Sequence, residues 1–119
     1  MQWVLWLNTI GETAIAVGMF SRPELFFPGA AGLPAAIARA FSFAILAVAY
    51  ISFSVTGPAV PRATVLNGVT ILIVYHLLQL LAQFVNAVIF PPLLIPPVVI
   101  HIVYSTLFVI YWRRLREAA

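Results

Sequence analysis

The sequence predicts an all-α, polytopic membrane protein, an antiparallel bundle of four transmembrane helices, and three observations carry that prediction. Of 119 residues, 64 % are hydrophobic and 8 % charged, whereas about a quarter of an ordinary globular domain is charged. The apolar residues gather in four runs, about 3–20, 33–55, 65–90 and 96–112, each near the roughly 20 residues that cross about 30 Å of hydrocarbon. The runs are continuous rather than alternating, which favours helices over a barrel, because lipid requires every backbone polar group to be satisfied internally. So little sequence lies outside the runs that residues 1–119 read as a single domain.

The first run, Trp3 to Phe20, carries Asn8, Glu12 and Thr13 and has no basic stretch before it. It therefore reads as a retained helix rather than a cleaved signal peptide. Pro23, Pro28, Gly29, Gly32 and Pro34 punctuate the first connection, and Pro34 suits the first turn of the second helix. Ala36, Ala40 and Ala44 in the second run, with Ala14 and Gly18 in the first, are small residues at four-residue spacing, which lets helices of one chain approach closely. Gly57, Pro58 and Pro61 mark the second connection. In the third run His76, Gln79, Gln83 and Asn86 fall on one face of a helix. Pro91 reads as the stop of that helix and Pro97 as the start of the fourth, which carries His101, Tyr104, Ser105 and Phe108 at similar spacing. The fourth run is marginal in length unless Leu93 to Ile95 join it.

Charge sets the topology. The formal net charge is +3, and all six basic residues are arginines, three of them in the tail Arg113, Arg114, Arg116. The positive-inside rule makes the C-terminus cytoplasmic, and four crossings bring the N-terminus to the same side. The Gly57 to Thr64 loop with Arg62 is then cytoplasmic and the uncharged Phe90 to Pro97 turn external. Trp3, Trp6, Tyr111 and Trp112 form the cytoplasmic aromatic belt. A short basic tail beside a membrane span indicates orientation and no nucleic-acid partner.

The chain has neither cysteine nor lysine. That excludes a disulfide relay, an iron–sulfur cluster, thiolate zinc sites and a retinal or pyridoxal Schiff base. No nucleophile–base set, metal cluster or phosphate loop is visible. The expectation is a non-enzyme without a cofactor.

Candidate site residues are the polar groups inside the runs: Glu12, Arg39, His76, Gln79, Gln83, Asn86 and His101. A charge in hydrocarbon faces the bundle interior, where it is paired or watered. Counting from the first connection at about 1.5 Å per residue puts Glu12 roughly 12 Å and Arg39 roughly 8 Å deep, so the two are expected to pair. That pair either fixes helix register or marks a ligand site. The amide stripe reads either as interhelical hydrogen-bond glue or as the lining of a polar pocket in the outer half, of at least about 300 Å³, with Arg39 and Gln83 directed into it. The same counting places His76 roughly 21 Å and His101 roughly 6 Å below the external ends of their helices. Those depths predict two separate interior imidazoles and no shared haem iron.

The stretch Gly11-Glu12-Thr13 through Pro23-Glu24-Leu25-Phe26-Phe27-Pro28, followed by Ala38-Arg39-Ala40-Phe41 and Ala44-Ile45-Leu46-Ala47, resembles the first half of small bacterial four-helix membrane proteins of the broad DoxX-like group. Val74-Tyr75-His76-Leu77-Leu78 and His101 are also similar to that pattern. The resemblance covers most of the chain through short, apolar motifs. It implies an accessory role, as in the quinone-reducing membrane complex that gave the group its name, or the binding of an apolar ligand, and it supplies no catalytic residues.

The sequence therefore points to a non-enzymatic accessory or structural subunit of a larger bacterial inner-membrane complex, in energy conversion or electron transfer. The alternatives are a binding protein for a lipid, quinone or isoprenoid whose head sits at Arg39, Glu12, Gln83 and His101, and a small proton-coupled exporter using Glu12. Membrane lipids are partners in each.

Overall fold

The computed structural model describes residues 1–28, 31–89 and 95–117, where the secondary structure is helical throughout. Four α-helices follow in order: α1 (Trp3–Ser21), α2 (Leu33–Ser54), α3 (Arg62–Ile89) and α4 (Ile95–Glu117), with a single 3-10 turn (Pro23–Leu25) between α1 and α2. All four are long and apolar enough to cross a membrane. The chain resolves into two compact units that divide after Thr56, and each is a helical hairpin.

Helix bounds follow the sequence punctuation. Pro34 sits in the first turn of α2, and α3 opens directly after Pro61, both positions where a missing N–H costs nothing. α4 begins two residues earlier than Pro97, which falls in its first turn. Pro91, read as the stop of the third helix, lies outside the described residues. α4 also runs five residues past the apolar stretch, to Glu117. Arginines in its last turn complement the negative end of the helix dipole, the Arg116 guanidinium lies 4.8 Å from the Trp112 ring centroid, and Arg62 donates to the Leu115 carbonyl. These contacts give a polar tail reason to stay helical.

In the first hairpin α1 and α2 run antiparallel. Ser52 near the end of α2 donates its hydroxyl to the Leu5 carbonyl near the start of α1, at 2.8 Å, and Trp6 meets Phe53 edge-on. The buried residues of α2 are Ala35, Ala38, Ser42, Ile45, Ala49 and Ser52, spaced by alternating threes and fours, the 3.5-residue seam of left-handed helix packing. Ala16, Met19, Ala38 and Ile45 form a core cluster, with Ile15 and Phe26 packed against it. The expected small-residue contact is not the one used: Ala36, Ala40, Ala44 and Ala14 are exposed. Alanine is apolar and small enough for either side of a membrane helix, so its spacing does not select the packed face. The buried serines Ser42 and Ser52 do.

The first connection folds back on its helices rather than spanning level ends. Its 3-10 turn packs on both α1 and α2, and the Phe26 ring lies 3.1 Å from where a Cβ on Gly18 would stand. A Cβ there would be tight against the ring, which would have to give by a few tenths of an ångström.

In the second hairpin Arg62 meets Leu115 and His76 meets His101. Arg62 and His76 are fourteen positions apart, as are His101 and Leu115, so one antiparallel register accounts for both contacts. In that register Ile95 is level with Ala82. α3 therefore continues about 10 Å past the first residue of α4.

Candidate functional site

The contact that stands out in the second hairpin is between His76 and His101, whose Nδ1 atoms are 3.0 Å apart. This overturns the expectation of two imidazoles at different depths. The depth count assumed level helix ends, but six Cα steps from Ile89 to Ile95 can reach about 20 Å, ample for the observed offset. A contact of this length needs one N–H and one lone pair, so one ring carries its proton on Nδ1 and the other on Nε2. At 3.0 Å the two nitrogens are at hydrogen-bond distance, and among the described residues no group of three or more His, Asp or Glu gathers to hold a metal ion.

Aromatic rings close over this pair. Tyr104 stacks on His76 with an interplanar angle of 16° and centroids 5.0 Å apart, and Phe108 stacks at 22° and 5.6 Å. Tyr75 stands edge-on to both imidazoles. His76 is 0 % exposed and Phe108 likewise, and His101 is half-buried. The four-residue turns of α4 put His101, Tyr104 and Phe108 on one face, as the sequence spacing indicates. Tyr75, next in sequence to His76, was legible as an aromatic but not as a member of the cluster.

The rest of the predicted stripe separates. Gln79 and Gln83 are half-buried and Asn86 is exposed. In the observed register Gln83 and Asn86 lie beyond the first residue of α4, so they are not lined up with His101.

In the first hairpin Glu12 is 3 % exposed and Asn8 is 0 % exposed, one turn apart on the buried side of α1. Arg39 is exposed, and its Nε donates to the Phe20 carbonyl at 3.1 Å. Arg39 is thus level with Phe20, eight residues or about 12 Å along α1 from Glu12, and the expected Glu12–Arg39 pair is replaced by a side chain-to-backbone contact. The reason is again the offset of helix ends: the first six residues of α2 extend beyond that level, against the 3-10 turn. An ion pair joins Arg22 to Glu24. It lies in the connection, where the Arg22 guanidinium holds the Glu24 carboxyl below the usual range.

Two open grooves run along this hairpin. One of about 180 Å³ is lined by Ala16, Val17, Phe20, Ser21, Ser42, Phe43 and Leu46. A second of about 240 Å³ is lined by Thr9, Thr13, Leu46, Ala49, Tyr50 and Phe53. Both are largely apolar, and neither is the expected pocket lined by Arg39 and Gln83.

Comparison with known proteins gives no match to a family model, a curated protein or a solved structure.

Proposed function

We propose that this chain is a non-enzymatic accessory subunit of a larger complex in the bacterial inner membrane, in a setting of energy conversion or electron transfer. Its two helical hairpins each cross the membrane twice, with both termini in the cytoplasm. The observation that supports this reading is the use to which the second hairpin puts its ionisable pair. His76 and His101 face each other at 3.0 Å under stacked aromatic rings, an arrangement that fastens helix to helix. Outside such contacts every helix presents large apolar residues, among them Ile10, Phe43, Leu78 and Ile102. A face of that chemistry is satisfied by lipid or by the helices of a partner. A small chain built this way acts through what it packs against.

The test is purification from the native membrane in a mild detergent, with the chain tagged at either end. The expected result is recovery with other membrane subunits in fixed ratio. Recovery as a lone chain or a lone oligomer, with no subunit retained, overturns the proposal.

A further inference from the structure

The geometry points to a phospholipid site on the first hairpin, in which the Arg39 and Arg22 guanidiniums take the phosphate of a net-anionic phospholipid and the groove between α1 and α2 takes one of its acyl chains. This goes beyond the accessory role and stands whether or not a larger complex is present.

The head end rests on where Arg39 is held. A guanidinium on the exposed side of a membrane-spanning helix is costly unless it reaches the interface or meets an anion. Here the Nε–H is bonded to the Phe20 carbonyl, one residue before α1 ends, so the guanidinium is anchored at the end of the hairpin rather than at mid-membrane. Arg22 and Glu24 lie in the connection that follows α1, and the positive charge of Arg39 reaches the Glu24 carboxyl. Two arginines and one glutamate leave this end with a net charge of about +1, an attraction for a phosphate that carries no compensating cation. Arginine meets phosphate through paired N–H donors.

The tail end rests on the grooves. Phe20 and Ser21 line the first one, so its mouth is next to the carbonyl that holds Arg39. The second shares Leu46 with the first and continues along the same two helices to Thr9 and Phe53. From Ser21 to Thr9 along α1 is about 18 Å, close to the roughly 15 Å of one leaflet's hydrocarbon. A charged hairpin end beside open apolar grooves that together run about one leaflet's length along α1 fits a single lipid chain. Two of the hydroxyls that line the grooves are taken up by backbone carbonyls of their own helices: Thr9 donates to the Leu5 carbonyl and Ser42 to the Arg39 carbonyl.

The experiment is lipid binding by the purified full chain in neutral detergent, read by native mass spectrometry and by thermal unfolding. The probes are phosphatidylglycerol, phosphatidylcholine and inorganic phosphate. The expected result is one retained phosphatidylglycerol and a higher melting temperature with it than with phosphatidylcholine, and no effect of inorganic phosphate at the same concentration. Arg39→Gln should weaken phosphatidylglycerol binding by about tenfold or more, the loss of a charge-assisted contact. Leu46→Trp keeps both arginines, fills the groove from an exposed position that the hairpin core does not use, and should also release the lipid. Equal binding of the two lipids, full replacement by inorganic phosphate, or a Leu46→Trp protein that keeps its lipid overturns the proposal.

Discussion

Two imidazoles that share a proton inside apolar surroundings are each worth more to the other than to the chain at large, because replacing one leaves a polar ring with no partner. His76→Leu and His101→Leu are therefore expected to be non-additive. In a double-mutant cycle of unfolding in detergent, the coupling should fall near 0.6 kcal/mol and reach up to about 1.7 kcal/mol, the range of polar contacts between membrane helices. Additive losses would show that the 3.0 Å contact contributes nothing to stability. Gly57 offers a second residue-scale test. Its φ of +128° lies in backbone space that a side chain rarely enters, so Gly57→Ala should cost about 1–3 kcal/mol although Val60 leaves room for a Cβ at 3.9 Å. An unchanged melting temperature for Gly57→Ala would place the strain elsewhere. The individual polar residues were easy to single out in the sequence, since few charges and amides stand in so apolar a chain. Their partners were not, because pairing depends on a difference of a few ångströms in helix level. Glu12 and Arg39 were matched on such a count, and Arg39 answers to a backbone carbonyl instead.

At the scale of elements, hydropathy alone located all four helices, since burial in lipid imposes a length that any run of apolar residues must meet. It could not set register. In both hairpins one helix overhangs the other, by about 8 Å at the start of α2 and about 10 Å at the end of α3. Sequence counting has no term for this, because a connection of several residues reaches farther than it needs to. The polar residues that mark the inward face of α2, Ser42 and Ser52, carried more information than the alanine repeat beside them. The register of the second hairpin is directly testable because the chain contains no cysteine of its own. Leu72 and Ser105 are both buried, and each lies one helical turn from the histidine contact in the same register. A Leu72→Cys, Ser105→Cys double variant should form an intramolecular disulfide on mild oxidation, detected by a mobility shift under non-reducing conditions. A Gln83→Cys, His101→Cys variant, which level helix ends would bring together, should not. Cross-linking of the second pair in preference to the first would refute the register.

At the scale of the whole molecule, orientation in the membrane rests on charge rather than packing. Arg113, Arg114 and Arg116 follow the last span directly, and Arg62 begins α3, so the tail and the second connection carry four of the six arginines. Arg22 and Arg39 belong to the opposite end of the first hairpin, where Glu24 offsets one of them. Short loops and flanks rich in arginine stay on the cytoplasmic side, and an even number of crossings would return the N-terminus there too. Reporter fusions at residue 1 and residue 119 should therefore both read cytoplasmic, and a fusion in the first connection should read external. The bias is narrow enough to be reversed by design. Replacing Arg113, Arg114 and Arg116 with glutamine leaves Arg62 as the main determinant of the cytoplasmic side and should produce a mixed population at the C-terminal reporter. A periplasmic reading at either end of the unaltered chain would mean that one of the four helices does not cross, and α4, whose apolar stretch is the shortest, is the first to test by moving the reporter to the α3–α4 connection.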